Sequence, residues 1–144
     1  MLQRCPLIYG IHYNRDIFGD QKTQKAAQKA LPVLISCAKE PRTILMQELA
    51  AEILPELRQF NWTIGYALGW IHRTLYDLER SDDWNYGKIP GITAIVLDKP
   101  ETPTNYCIKE TAPASWKEYE TDHILPVFKY PHWDKVMDCL FGSL

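Results

Sequence analysis

The side chains best able to do chemistry in this chain are a row of lysines and a later run of aromatic rings. Lys22, Lys25 and Lys29 are spaced three and four residues apart, which places them on one face of a helix. Joined by Lys39 and Arg42, they could neutralise phosphates and release counterions, although a lysine face is more often simply solvated. Further on, Trp62, Tyr66, Trp70, Arg73 and Asp77 recur at helical spacing. Clustered Trp and Tyr with one Arg is the composition of a protein-binding hot spot. The plainer alternative is that these rings are covered by the amino-terminal arm or the carboxy-terminal helices. Base-edge readout calls for donors near a helix start, and Asn61, Thr63 and Arg73 are the candidates; Lys99 completes the nucleic-acid set. Gly65 and Gly69, four apart within the same run, suit close packing against a neighbouring helix.

Catalytic patterns are missing. No nucleophile stands beside a base, and no glycine-rich loop is shaped to cradle phosphate. Asp122-His123 and His132 lie near Glu118 and Glu120, where a hydrolase could keep a His and carboxylate pair, but adjacent titratable residues in an acidic helix usually face water. Cys5, Cys37, Cys107 and Cys139 form no CxxC pair and have no histidine at zinc-ligand spacing, so they read as reduced thiols. No catalytic residue, metal or cofactor is assigned, and action by binding is expected.

These residues need a scaffold, and 144 residues with 46% hydrophobic and 24% charged content suffice for one domain with a real core. No apolar run approaches the roughly 20 residues that cross a bilayer, and the first ten residues lack a secretory pattern, so a soluble, cytoplasmic protein is expected. The formal charge is −2, with eight basic against six acidic side chains in residues 1–60 and four against seven in residues 101–144. A nucleic-acid surface therefore belongs in the first half.

Residues 1–20 read as an ordered aromatic arm with a short strand at Leu7–Tyr9. Ala27, Ala30, Leu31, Leu34 and Cys37 predict an amphipathic helix from Gln21 to Ala38, which Pro32 either kinks or restarts. Thr43 could cap a second helix through Leu54. With Asn61 as cap, a third helix runs from Trp62 to Arg80 on the stripe Ile64, Ala67, Leu68, Ile71, Leu75 and Leu78. Turn-forming residues from Ser81 to Gly91 precede a strand over Ile92–Leu97, and Thr104–Ile108 could return as an edge strand. Ser115 could cap a short helix to His123, and Pro131 could begin a terminal one; the acidic, aromatic stretch from Glu118 to Asp138 could pack as an extension or occupy a basic partner surface.

Helix, short helix, long helix and β-hairpin follow in the order of a winged helix-turn-helix, an α+β fold. Gly65-Tyr66-Ala67-Leu68-Gly69-Trp70-Ile71, followed by Ile89-Pro90-Gly91-Ile92-Thr93-Ala94-Ile95-Val96-Leu97-Asp98-Lys99, resembles the pattern G-x-x-L-G-x-I … L-P-x-L-T-A-L-V-V-N-K of small winged-helix proteins of bacteria and their mobile elements. Gln47-Glu48-Leu49-Ala50 is similar to that family's Y-x-E-L-A core. The resemblance covers Pro41 to Lys99 and departs where the family has wing glycines, since Glu101-Thr102-Pro103-Thr104 stands there. It implies a winged-helix core over residues 21–110, with a carboxy-terminal extension over 111–144. It also implies DNA binding in a bacterial or phage setting, with the third helix toward the groove and the first toward phosphates. The competing expectation is a protein-interaction module, a regulator or inhibitor in a phage-defence contest, using Trp62, Tyr66 and Trp70.

Overall fold

In the computed structural model of the chain, residues 16–53, 61–104 and 115–142 are described. The arm's strand at Leu7–Tyr9, most of the expected return strand, Cys5 and Cys107 lie outside them, as do the side chains of Asn61 and Trp62.

Small and branched apolar residues draw the first helix into the centre. Helix α1, Lys22–Lys39, buries Ala26, Ala27, Ala30, Leu31, Leu34, Ile35, Cys37 and Ala38 and continues unbroken through Pro32. Proline inside a helix costs about 3 kcal/mol. Burying Leu31, Leu34 and Ile35 is worth about 1.5–3 kcal/mol each, which outweighs that cost and holds the helix together across it. Gln24 Oε1 accepts the Gln21 N–H at 3.2 Å and fixes the helix start.

The second helix begins later than Thr43. Ile44–Leu45 forms β1, paired parallel with β2 through Ile44↔Val96 and Leu45↔Leu97, and only then does α2, Met46–Ile53, follow. The buried, β-branched Ile44 gains more from this pairing than from a first helical turn, and Glu48 Oε1 takes the Leu45 N–H at 2.9 Å. Helix α3, Asn61–Glu79, buries the predicted stripe and packs chiefly on α1.

The strand predicted over Ile92–Leu97 divides in two. Ile92–Ile95 winds into a 3₁₀ turn, and β2 runs from Val96 to Lys99. A fully buried apolar run does not distinguish strand from helix. The three-residue period of the turn brings Ile92 and Ile95 to the same side, both fully buried. The chain then reverses through Glu101, at φ 56°, and returns at β3, Thr102–Pro103, two residues earlier than Thr104. Leu97 pairs with Pro103 and Lys99 with Thr102, completing a three-stranded sheet in the order β1-β2-β3 with the proline on an edge strand.

Ser115 Oγ accepts the Glu118 N–H at 3.1 Å and caps α4, Trp116–Tyr119. The helix passes His123 through a π turn, Glu120–Ile124, into α5, Leu125–Lys129; α6 spans Trp133–Phe141. These carboxy-terminal elements supply Tyr119, Ile124, Val127, Trp133 and Val136 to the same core as α1 and α3. The Tyr119 hydroxyl donates to Ala94 O at 2.6 Å, and the Trp133 indole N–H to Val127 O at 2.9 Å. The chain is thus α+β, with helices around a small sheet.

Candidate nucleic-acid interface

Lys22, Lys25 and Lys29 stand exposed on the outer face of α1. No carboxylate occurs between Lys22 and Lys39, so the helix supplies no internal counter-charge. Lys39, at the far end, donates to Asp134 Oδ1 at 2.6 Å, and Arg42 Nε donates to Glu40 Oε2 at 3.0 Å. That hydrogen bond strengthens the hold of the Arg42 guanidinium on its proton. Lys99 is exposed at the end of β2. The three amino-terminal lysines therefore form one row, whereas Arg42 and Lys99 lie at other places on the surface.

Helix α3 presents a different face from the one its periodicity predicts. Trp70 is 6% exposed, and its indole N–H donates to Thr23 Oγ1 in the first turn of α1 at 3.0 Å. Arg73 and Asp77 are buried, with Arg73 Nε on Asp77 Oδ2 at 3.2 Å, and Thr63 is buried as well. Thr63 and Arg73 thus cannot reach base edges, and Trp70 cannot serve as an exposed anchor. The cause is a second covering layer. Ile17 is fully buried, its N–H donates to Thr74 Oγ1 at 3.1 Å, and Gln28 Nε2 donates to Ile17 O and Gly19 O. The segment before α1, together with its first turn, lies along this flank of α3.

Among the described side chains of α3, Tyr66 and His72 are exposed and Gly69, Tyr76 and Glu79 partly so, with Arg80 exposed directly after the helix. At about 100° per residue, this side is centred about 60° around the helix from the expected one, and the two share Tyr66. Sequence reasoning missed His72, Tyr76 and Arg80, although their spacing of four and four after Gly69 at three was visible. Tyr66 is 55% exposed and stacks on Trp70, with centroids 5.9 Å apart and planes at 27°. The Arg80 guanidinium lies 5.3 Å from the centre of the Tyr76 ring and donates to its hydroxyl at 3.2 Å. Open space stands where a Cβ at Gly69 would be.

The histidines considered for hydrolysis sit among rings. His132 is 4.9 Å from the Tyr86 ring and 5.5 Å from that of Tyr130; His123 is 5.3 Å from Tyr119. Among the described residues no group of three His, Cys, Asp or Glu could hold a metal ion. Burial pushes the thiols of Cys37 and Cys139 up from their ordinary pKa, toward the unreactive protonated form. No described helix is long and apolar enough to cross a membrane.

No model of a known family, no curated protein and no solved structure matches the chain.

Proposed function

We propose that this chain is a winged-helix protein that acts by binding DNA, in a bacterial or phage setting, with the lysine row of α1 on the phosphates. The observation that carries the reading is the row itself: three exposed lysines on one helix face with no carboxylate in the helix. Over Lys22 to Lys29 it extends about 10 Å at 1.5 Å per residue, enough to face neighbouring phosphates of one strand. The element order α1, β1, α2, α3 and a β2–β3 hairpin, with β1 joined to the hairpin, supports the winged-helix reading. The exposed side of α3, with His72, and Arg80 just past its end, is the surface offered toward the bases.

A protein-interaction module, a regulator or inhibitor in phage defence, is the second reading, favoured by the exposed Tyr66 ring. Burial of Trp70 and Arg73 removes much of the face it needs. Binding of labelled DNA at about 50 and 200 mM salt separates the two, since phosphate-driven binding weakens steeply across that range. Lys25→Glu with Lys29→Glu is expected to abolish the binding while the protein stays folded. Unchanged binding by that double variant rejects the role given to the row.

A further inference from the structure

We infer that residues 16–30, the segment before α1 together with its lysine-bearing turns, open and close against the core as one latch hinged at Pro32, and that DNA holds the closed form. The opening itself needs no ligand; its coupling to DNA rests on the reading above. What holds these turns differs from what holds the rest of the helix. Between Lys22 and Ala30 the apolar side chains are Ala26, Ala27 and Ala30, whereas the helix from Leu31 onward seats Leu31, Leu34 and Ile35. Stabilisation by burial follows the apolar area removed from water, so the first turns draw less from it. Polar bonds take over there. Thr23 Oγ1 accepts the Trp70 indole N–H at 3.0 Å, Gln24 Nε2 donates to Asp16 O at 3.0 Å, and Gln28 Nε2 donates to Ile17 O at 2.6 Å and to Gly19 O at 2.9 Å. At about 100° per residue, Thr23 and Gln28 stand about 140° apart around α1, and the three lysines lie on the outer arc between them.

The segment before α1 belongs to the same unit. Asp16, Ile17 and Gly19 give their carbonyls to α1, while the Ile17 N–H goes to Thr74 Oγ1 of α3. A Cβ at Gly19 would collide with the Gln24 side-chain amide, so glycine is what lets the segment lie on the helix. Ile17 is the large apolar side chain that the latch buries, and Phe18 beside it is 38% exposed. The far limit is Pro32, which brings no N–H to the Gln28 carbonyl and crowds it with its ring. The helical ladder is therefore weakest where the alanine half meets the leucine half. Opening there breaks the bonds to Trp70 and Thr74, frees Ile17 and takes the lysine row out of line.

Native-state hydrogen exchange of the full chain in low denaturant, read amide by amide, tests the latch without DNA. The expected result is one common opening for Ile17 and residues 25–30, about tenfold or more ahead of residues 36–39, whose helical bonds lie beyond the proline. Gln28→Ala removes two bonds at a half-buried position where alanine suits a helix, so it folds, and it should speed the common opening several-fold. Val136→Ala, in the core outside the latch, should speed residues 36–39 and leave that opening as it was. Graded fraying from the amino end, or a Val136→Ala variant that speeds both regions alike, overturns the latch. Duplex DNA at about ten times its Kd and about 50 mM salt should slow the opening about tenfold. Bound duplex that leaves the opening unchanged overturns the coupling to DNA. No binding of duplex at that salt overturns the DNA reading and, with it, the coupling, whereas the latch is judged by the exchange of the free chain.

Discussion

Tyr66 and Trp70 are one helical turn apart and differ in what they can do. Trp70 has its indole N–H on Thr23 and is 6% exposed, so Trp70→Ala should cost about 3–5 kcal/mol of stability, as large aromatic deletions in cores do. Tyr66→Ala, at a position 55% exposed, should fall within about 0.5 kcal/mol of the native chain. Urea unfolding of the two variants checks the contrast, and a stable Trp70→Ala protein would return that ring to the surface. A second residue-scale expectation concerns Tyr130. Its hydroxyl finds no hydrogen-bond partner among the described residues, and burial, reinforced by the nearby Glu79 carboxylate, pushes its pKa up to about 12. The folded state thus holds the neutral phenol more firmly than the unfolded chain, whose tyrosine titrates near about 10. The resulting stability is fully present below that pH and is lost as pH rises toward about 12. Ultraviolet titration should show a late-titrating tyrosine that is lost in Tyr130→Phe.

Helix α1 has two jobs along its length, and Pro32 lies between them. Its first two turns carry the lysine row opposite the buried Ala26, Ala27 and Ala30, while its second half buries Leu34, Ile35, Cys37 and Ala38. Packing holds the helix across the proline, so replacing the proline should release much of the roughly 3 kcal/mol that it costs. Pro32→Ala is expected to raise the unfolding free energy by about 1–3 kcal/mol, the less because proline also restricts the unfolded chain. Denaturant titration measures this, and a destabilised variant would mean that the helix needs a bend at this point. The hairpin shows the opposite balance of local and distant forces. Its register, Leu97 with Pro103 and Lys99 with Thr102, makes the turn so short that Glu101 takes the left-handed conformation usually given to glycine. The result is a compact tip with Lys99 exposed beside an exposed Glu101, a weaker phosphate clamp than a longer glycine-bearing wing.

At the scale of the molecule, the formal charge of −2 and the lysine row coexist because charge acts locally within a Debye length of about 8–10 Å. The carboxy-terminal helices carry five of the 18 acidic side chains and also close the core, with Tyr119 on Ala94 and Val127, Trp133 and Val136 buried. A chain ended after residue 104 should therefore lose cooperative unfolding and bind a hydrophobic dye, measured by fluorescence; a sharp unfolding transition would show that residues 16–104 suffice. Much of this architecture was legible in the amino-acid order. The periods of Ala27 to Cys37 and of Ile64 to Leu78 specified α1 and α3, Ser115 marked the start of α4, and the lysine spacing specified one face. Those features depend on neighbours within a few residues, where spacing alone decides which side chains share a side. Tertiary structure alone decided that Trp70, Arg73 and Thr63 are buried, that Ile92–Ile95 is a turn, and that His72 is exposed on α3 with Tyr76 partly so. The reason is separation along the chain. Periodicity encodes one buried stripe, but the second flank of α3 is covered through Thr23, 47 residues from Trp70, and Ile17, 57 residues from Thr74, and no local pattern carries contacts of that range.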